Sequence, residues 1–229
     1  MIECYHKDTG VKKLAPSLHL PVQSGSNRIL QKMARHHQIE YYIEQMDRLK
    51  EICPGVGLST DLIVGFPTET EEDFQATLDL ITRVDFDNLY AFAYSIRPGT
   101  RAAKMEDDVP RKVKNDRLNK LLALSSQIAE RRYADRVGQT FEVLVEGEAK
   151  GDSLSQDGKL KVWTARTGCN RVVNFMTDHT QRDLTGMFLN VKIIRATSFS
   201  LIAELLVEPT YAEGLTVDYS SLASSEVIA

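Results

Sequence analysis

The chain has 229 residues, of which 42% are hydrophobic and 26% are charged, and its net charge at pH 7 is −4. These values are typical of one or two globular domains and argue against a disordered, collagen-like or disulfide-rich protein. The sequence has no apolar run near the roughly 20 residues of a membrane-spanning helix and no apolar signal segment at its start, so we expect a cytoplasmic protein that does not enter membranes.

The first half of the chain alternates short predicted strands with amphipathic helices. Strands are predicted over 18–22, 56–64 and 89–94, and apolar residues at helical spacing predict a helix over 38–53. Such repetition is typical of parallel strands joined by right-handed crossovers. Because three strands do not close a barrel, this half predicts either an open sheet or part of a larger barrel.

Two patterns mark the start of the helix that follows the second strand. Thr68 with Glu71 has the spacing of a capping box, and Thr70 with Asp73 offers a second start two residues later. Acidic residues in this region also complement the dipole of the helix. The sequence predicts a helix here and leaves its first residue open.

A basic helix and a series of short strands follow. Residues 110–136 hold eight Lys/Arg against three Asp/Glu, which indicates either a docking site for a polyanion such as RNA or a solvated helix face. Residues 137–208 contain about five short strands, the size and strand count of an oligonucleotide-binding barrel. The acidic tail over 209–229 is predicted to be disordered.

Polar loops follow the three strands of the first half. Ligands bind at the carboxyl ends of parallel strands, so these loops are candidate ligand contacts. Gln23 and Ser24 offer neutral hydrogen-bond groups, and Arg97 offers a guanidinium that can bind a carboxylate through two parallel hydrogen bonds. Asp61 lies in an apolar strand, where an unpaired charge is costly. The alternative is that the loops are ordinary turns and Asp61 is exposed.

The predicted barrel has candidate RNA contacts of its own. Arg166 and Arg171 could bind phosphates, and Asn170 could bind a base edge or a sugar. Trp163 and Phe175 could stack on bases or lie in the barrel core, and the core suits Phe175 better.

No metal site is predicted from the histidines and cysteines. The histidine pair at 36–37 has few potential ligands nearby, and His19 is expected to be buried and hydrogen-bonded. Cys4, Cys53 and Cys169 lie far apart in the sequence, which predicts reduced thiols without metal-ligand spacing.

Four motifs carry a resemblance to a known family. They are HLPVQSGSNRIL at 19–30, DLIVGFPTETEEDF at 61–74, RPGT at 97–100 and NRVVNF at 170–175. In this order they resemble the radical-SAM methylthiotransferases, in particular the branch that acts on tRNA.

The resemblance implies an α/β fold: a partial radical-SAM (β/α) barrel of about three strands over 1–109, the linking helix over 110–136, and a small all-β TRAM barrel over 137–208. It implies a monomeric enzyme that attaches a methylthio group to C2 of an isopentenylated adenosine beside the tRNA anticodon. The implied cofactors are S-adenosylmethionine and [4Fe-4S] clusters, and the implied partner is tRNA, which the TRAM barrel helps to bind.

The resemblance also assigns site residues. On the S-adenosylmethionine side it places Gln23, Ser24, Gly25, Asp61, Gly65, Glu69 and Arg97. With the basic helix included, the predicted RNA contacts are Arg131, Arg132, Arg166, Asn170 and Arg171.

The cysteines depart from the family pattern. The family holds its radical cluster with Cys-x-x-x-Cys-x-x-Cys and a second cluster with three further cysteines, and Cys4, Cys53 and Cys169 match neither. We therefore expect the chain to be the C-terminal half of such an enzyme, inactive without the N-terminal half. An RNA-binding module without catalysis, and a related methylthiotransferase acting on another tRNA adenosine or on a ribosomal protein, remain alternatives.

Overall fold

The computed structural model describes residues 2–6, 10–11, 13–149, 160–178, 183–197 and 199–206. The chain divides into two compact units, Met1–Ala129 and Glu130–Ala229. Within the described ranges, no helix has the length and apolar character that crossing a membrane requires. The predicted disordered tail over 209–229 lies outside the described residues.

The first unit is built on a parallel sheet with helices between its strands. Its elements, as far as the structure describes them, are β1 (Ser17–His19), α1 (Asn27–Lys32), α2 (Ile39–Ile52), β2 (Gly57–Val64), α3 (Glu71–Val84), β3 (Asn88–Ala93) and the part of α4 (Arg111–Ala134) up to Ala129. The strands pair in the order β1-β2-β3, and both pairings are parallel. The predicted parallel strand–helix arrangement is confirmed.

The two faces of this sheet differ in burial. Leu58, Leu62 and Val64 of β2 are buried in one core with apolar residues of α2, α3 and α4. Alternate residues of a strand point to opposite faces, so the intervening positions form the second face. On β3, Tyr90 and Phe92 belong to this second face, and they are 52% and 56% exposed.

Helix α3 begins at the second of the two predicted starts. Thr70 is the N-cap, and its side chain and that of Asp73 form a reciprocal capping box. Thr68 does not cap the helix, because its backbone is left-handed with φ 70°. The Thr68 N–H donates to Asp108 Oδ1 at 2.7 Å, and the Thr68 carbonyl accepts from Arg28 at 2.6 Å. Tertiary contacts therefore decide which threonine starts the helix.

Asp73 does more than cap α3. Its Oδ1 accepts from the Ser26 hydroxyl at 2.6 Å, and its carboxylate also pairs with the Arg28 guanidinium. Burial opposes ionisation of the carboxyl, but the hydrogen bonds from Arg28, Ser26 and Thr70 prevail and hold the pKa of Asp73 well below its usual range. This one carboxylate joins the loop after β1 to the loop after β2.

Part of the predicted basic helix is buried within the first unit. Lys114 and Arg117 are each 6% exposed. Lys114 Nζ lies 2.6 Å from Asp107 Oδ1, and an Arg117 guanidinium nitrogen lies 2.8 Å from Glu69 Oε2. The segment is therefore not simply a solvated face or a docking site, because two of its cations neutralise carboxylates of their own unit.

The second unit is a closed five-stranded barrel. Its strands are β4 (Thr140–Glu148), β5 (Leu160–Thr167), β6 (Val172–Asp178), β7 (Phe188–Ala196) and β8 (Leu201–Leu205), and they pair in the order β4-β5-β6-β8-β7. The β6–β8 pairing is parallel and the others are antiparallel. The prediction of a small barrel with about five strands is confirmed.

The aromatic side chains of this barrel form its core. Trp163 and Phe175 are both fully buried. The Trp163 indole N–H donates to Thr177 Oγ1 at 2.8 Å, which satisfies the polar atom that this burial removes from water. Burial favours the core interpretation for both residues over stacking on bases.

Candidate functional site

A cavity of about 560 Å³ opens in the first unit beside the carboxyl ends of β2 and β3. This volume lies within the range of about 300–1,000 Å³ that is usual for small-molecule sites. Gln23, Asp61 and Arg97, three of the predicted cofactor contacts, line it. Gln23 and Arg97 follow β1 and β3, whose carboxyl ends the parallel sheet brings to one edge, and Asp61 lies in the middle of β2.

Gln23 has an unusual backbone conformation at the cavity wall. Its φ is 76°, in the left-handed region that few residues other than glycine adopt. The Gln23 N–H donates to the Asp61 carbonyl at 2.9 Å, and the Gln23 carbonyl accepts from the Ile63 N–H at 2.9 Å. Both backbone groups of Gln23 are thus hydrogen-bonded to β2. These two bonds hold the strained backbone conformation at a residue that lines the cavity.

Asp61 has a histidine partner on the second face of the sheet. His19 Nε2 lies 3.4 Å from Asp61 Oδ1, and His19 Nδ1 lies 3.0 Å from Ser59 Oγ. The His19 ring also meets the Tyr90 ring edge-on, with 5.9 Å between centroids. The His19 side chain is 44% exposed, so the expectation that it is buried is wrong, although it is hydrogen-bonded.

Tyr94 contributes an unsatisfied polar atom to the cavity wall. Its hydroxyl is buried and has no hydrogen-bond partner among the described residues. The ring contacts Phe66 edge-on at 5.1 Å and lies under Lys114 Nζ at 5.1 Å. Burial, with a smaller effect from Asp107, raises the pKa of this hydroxyl, so it is a neutral donor at pH 7.

The other four predicted cofactor contacts are not among the residues that line this cavity. Ser24 is fully buried, and its hydroxyl accepts from the Ser26 N–H at 3.2 Å. At Gly25 an added Cβ would lie 2.4 Å from the carbonyl oxygen of Ala76, so this glycine lets the loop pack tightly against α3.

Gly65 and Glu69 hold the loop after β2 together. The Gly65 N–H donates to Glu69 Oε2 at 2.6 Å, and Arg117 pairs with the same carboxylate. Burial raises the pKa of Glu69, while the Gly65 N–H and the Arg117 guanidinium oppose that shift. Gly65 itself has φ 68°, and an added Cβ would lie 2.3 Å from Lys114 Cγ. These contacts support the loop; whether either residue touches a cofactor stays a prediction.

Several residues that line the cavity were not predicted. Phe92 lies on β3 and Tyr94 follows its last residue, two and four positions after Tyr90, so period-two spacing in the sequence could have revealed their shared face. Lys32, the last residue of α1, and Arg35 give no such signal, and Arg35 lies in the turn after α1 next to the left-handed Ala34, with φ 57°.

In the second unit, Arg166 and Asn170 lie together at the turn between β5 and β6. Arg166 Nε donates to Glu146 Oε1 at 2.8 Å, and another guanidinium nitrogen donates to Asn170 Oδ1 at 3.2 Å. Asn170 is exposed and left-handed, with φ 68°. This pair is at the surface, as an RNA contact requires, with the charge of Arg166 already balanced by a carboxylate.

The other predicted RNA contacts differ in exposure. Arg131 is exposed and Arg132 is half-buried in the last turn of α4. Arg171 is only 2% exposed, and its guanidinium lies 2.6 Å from Cys169 Sγ and 6.0 Å from the Tyr133 ring centre. Burial lowers the pKa of Arg171 to about 10. In this position its guanidinium is not accessible to a phosphate.

Comparisons with known proteins match both units. The sequence model of the Radical SAM superfamily matches residues 8–81, and that of the TRAM domain matches residues 134–206. The chain is 47% identical over 192 residues to a protein of Clostridium botulinum (strain Langeland) named tRNA-2-methylthio-N(6)-dimethylallyladenosine synthase. It is 44% identical over 209 residues to a protein of the same name from Syntrophobacter fumaroxidans.

The chain is similar to the radical-SAM methylthiotransferases over most of its length. The resemblance that the four motifs carry is thereby confirmed. These matches cover 84% and 91% of this chain but only 40% and 43% of the two relatives, so the chain spans about two fifths of their length.

One solved structure is similar in part. Coproporphyrinogen III oxidase (HemN) from Escherichia coli, described as a Radical SAM enzyme, superposes with a TM-score of 0.44 at 20% identity, over 78% of this chain and 41% of that one.

Proposed function

We propose that this chain supplies one wall of the S-adenosylmethionine site and the RNA-binding module of a tRNA methylthiotransferase. The complete enzyme would attach a methylthio group to C2 of an isopentenylated adenosine beside the anticodon, in the cytoplasm. The observation that carries the proposal is the cavity beside the strand ends, which Gln23, Asp61 and Arg97 line together. The names of the relatives support the choice of reaction.

The sheet of the first unit supports a place in a larger (β/α) barrel. Its three strands are parallel and in sequential order, with helices packed on one face. The second face carries exposed aromatic rings, whereas parallel sheets are usually covered on both faces. In the proposal this face lines the interior of the barrel. The boundaries 1–109, 110–136 and 137–208 are part of the same proposal.

The residues around the cavity fit S-adenosylmethionine chemically. The Asp61 carboxylate suits the ammonium group, the Arg97 fork suits the carboxylate, and the Gln23 amide suits the polar edge of the adenosine. Tyr94 adds a buried hydroxyl that lacks a partner among the described residues. When bound, S-adenosylmethionine supplies a methyl group and the start of radical chemistry. This chain's own residues bind and orient it.

The cysteines do not fit an iron–sulfur cluster. Cys4 is exposed, Cys53 is half-buried and Cys169 is buried in the other unit. Among the described residues, no three His, Cys, Asp or Glu side chains come together in a way that could hold a metal ion. In the proposal, the cluster ligands lie outside these 229 residues, and no step through a cluster is derived from this chain.

The second unit supports tRNA as the partner. A TRAM domain matches it, and Arg166 and Asn170 are side by side at its surface. With Arg131 and Arg132 on the neighbouring helical turn, these residues are the proposed RNA contacts of this unit. Phosphate contacts from arginine position a protein on RNA, and contacts to unpaired bases give sequence preference.

A chimaera tests the proposed function. This chain would replace the matching 192-residue segment of the Clostridium botulinum relative, which keeps the rest of that protein. Expressed in cells without methylthiolation activity of their own, the chimaera is expected to restore the methylthio nucleoside, measured by mass spectrometry of digested tRNA. A folded chimaera with reconstituted clusters and no such nucleoside would contradict the proposal.

A matched pair of variants tests the assigned pocket. Asp61→Asn in the chimaera is expected to weaken S-adenosylmethionine binding and product formation, because it removes the carboxylate from the cavity. Asp116→Asn makes the same change on the exposed side of α4 and is expected to leave both unchanged. Equal effects of the two substitutions would remove the support for this pocket.

A further inference from the structure

The cavity in the first unit has more positive charge than its proposed cofactor explains. Lys32, Arg35, Arg97 and Arg101 line it, against one carboxylate, Asp61. Among the described residues, none of these four cations has an acidic partner within 4.0 Å, which is unlike the paired cations on α3 and α4. The excess of positive charge therefore remains available to a ligand.

S-adenosylmethionine does not account for this charge. Its one carboxylate needs a single cation, and Arg97 fills that role in the proposed function. The ligand also has two positive groups of its own, the sulfonium and the ammonium. Gathering Lys32, Arg35 and Arg101 around such a ligand costs electrostatic energy, because like charges at short range repel. These three residues, which we call the rim cations, point to a second ligand that is anionic.

Local backbone stabilisation explains only part of the cluster. Lys32 lies in the last turn of α1, where a cation complements the helix dipole. Arg101 is the N-cap of the 3₁₀ helix Ala102–Lys104, where a cation gains nothing from the backbone. Arg35 and Arg101 are both exposed and come from segments far apart in the sequence. Their convergence on one cavity needs another reason.

Exposed aromatic rings lie on the same face of the sheet as the cavity. Phe92 lines the cavity and is 56% exposed, and Tyr90 lies two residues earlier on β3 with 52% of its surface exposed. Aromatic platforms beside a positively charged groove are the two components of single-stranded nucleic-acid binding, since bases stack on the rings and phosphates pair with the cations.

We infer that the rim cations bind phosphates of the RNA substrate at the mouth of the cavity and that Phe92 stacks on an unpaired base. The inference rests on the proposed function and deepens it, because it places a second RNA contact on the first unit, separate from the TRAM barrel. The rim cations are positioning residues, which hold the RNA where a base can enter the cavity.

The test is RNA binding by the full 229-residue chain. The probe is a fluorescent synthetic RNA hairpin with an adenosine-containing single-stranded loop, titrated between about 50 and 200 mM salt. Replacing all three rim cations with alanine is expected to make the slope of log K against log salt less steep by about 2, because each phosphate that a cation neutralises contributes about 0.7 to the slope. Phe92→Ala is expected to weaken binding about tenfold without changing the slope, because stacking releases no counterions.

Lys13→Ala is the matched control, since Lys13 is exposed before β1, outside the basic segment 110–136, and does not line the cavity. It is expected to change neither affinity nor slope. Helical circular dichroism checks that each variant is folded. The inference is overturned if the unsubstituted chain fails to bind the hairpin, if the triple variant keeps the original slope, or if Lys13→Ala has an equal effect.

The outcomes separate this inference from the proposed function. An active chimaera with rim variants that bind RNA normally would overturn the inference and leave the function standing. Rim-dependent RNA binding with an inactive, cluster-loaded chimaera would contradict the function alone. A triple variant that loses S-adenosylmethionine binding but not hairpin binding would assign the rim cations to the cofactor and overturn the inference.

Discussion

Replacing Arg117 with methionine is expected to destabilise the first unit by about 3–5 kcal/mol, the cost of breaking a buried ion pair by removing one partner. The side chains of Arg117 and Glu69 are 7% and 1% exposed, so water cannot replace the missing guanidinium. Arg117 also donates to the Glu69 carbonyl at 3.1 Å. In the variant, the buried Glu69 carboxylate still accepts a hydrogen bond from the Gly65 N–H, but it has lost the guanidinium of Arg117.

The size of the loss is expected to depend on pH. Burial already raises the pKa of Glu69, and removing the guanidinium raises it further. A group whose pKa is raised on folding stabilises the protein below its unfolded pKa and loses that contribution as the pH rises through the folded pKa. The destabilisation by Arg117→Met is therefore largest at neutral pH and shrinks as the pH falls and Glu69 takes up a proton.

Two probes allow each unit to be followed separately in urea. Helical circular dichroism reports mainly on the first unit, which contains α1 to α3. Trp163 is the sole tryptophan of the sequence and is buried in the barrel, so its fluorescence reports on the second unit. Arg117→Met is expected to shift the first transition and leave the second in place.

The controls use the same ion-pair network. Lys120→Met removes an exposed cation 3.8 Å from Glu71 and is expected to cost at most about 1 kcal/mol. Combining Arg117→Met with Glu69→Gln removes the unpaired charge and is expected to recover about 2 kcal/mol. A loss below about 1 kcal/mol for Arg117→Met, or equal shifts of both transitions, would refute this reasoning.

Three further predictions concern stability. Asp73→Asn is expected to cost about 1–3 kcal/mol at neutral pH by weakening charged hydrogen bonds. Folding lowers the pKa of Asp73, so the ionised carboxylate contributes its full stabilisation above about pH 5. The difference in urea stability between Asp73→Asn and the unsubstituted chain should shrink as the pH falls below about 4. Gly25→Ala places a Cβ 2.4 Å from the backbone of α3 and should lower the stability in thermal unfolding more than Gly99→Ala does. At Gly99 an added Cβ has open space, and the expected cost of about 1 kcal/mol comes from its φ of 84°. Equal losses of stability would show that close packing at Gly25 is not the cause. Thr177→Val leaves the Trp163 N–H without its acceptor and should lower the fluorescence-detected stability by about 1–3 kcal/mol; an unchanged transition would show that this hydrogen bond is not needed.

Periodicity made the main elements predictable from the sequence. The helix predicted over 38–53 is observed as Ile39–Ile52, and the strand predicted over 89–94 as Asn88–Ala93. Both segments have apolar residues at regular spacing, because one side of each packs on a core. Gln23 and Arg97 line one cavity for a related reason, since parallel strands bring their carboxyl ends to one edge, whereas Asp61 lines it from the middle of β2.

Tertiary contacts produced the features that the sequence did not reveal. Nothing local shows that Thr68 is held left-handed by Arg28 and Asp108, so the helix start stayed open. Charge composition suggested a solvated or RNA-facing helix, whereas Lys114 and Arg117 are buried against carboxylates from other segments. Such pairs have no signature in a one-dimensional pattern, because tertiary packing brings the partners together.

The carboxylate of Asp73 also has a consequence for engineering. It accepts hydrogen bonds from the Ser26 hydroxyl in the loop after β1 and from the Thr70 N–H in the loop after β2. The geometry of each loop therefore depends on the other. Grafting either loop alone from a relative would bring in a segment adapted to an absent neighbour. Redesign of this edge of the sheet should therefore exchange both loops as a matched pair.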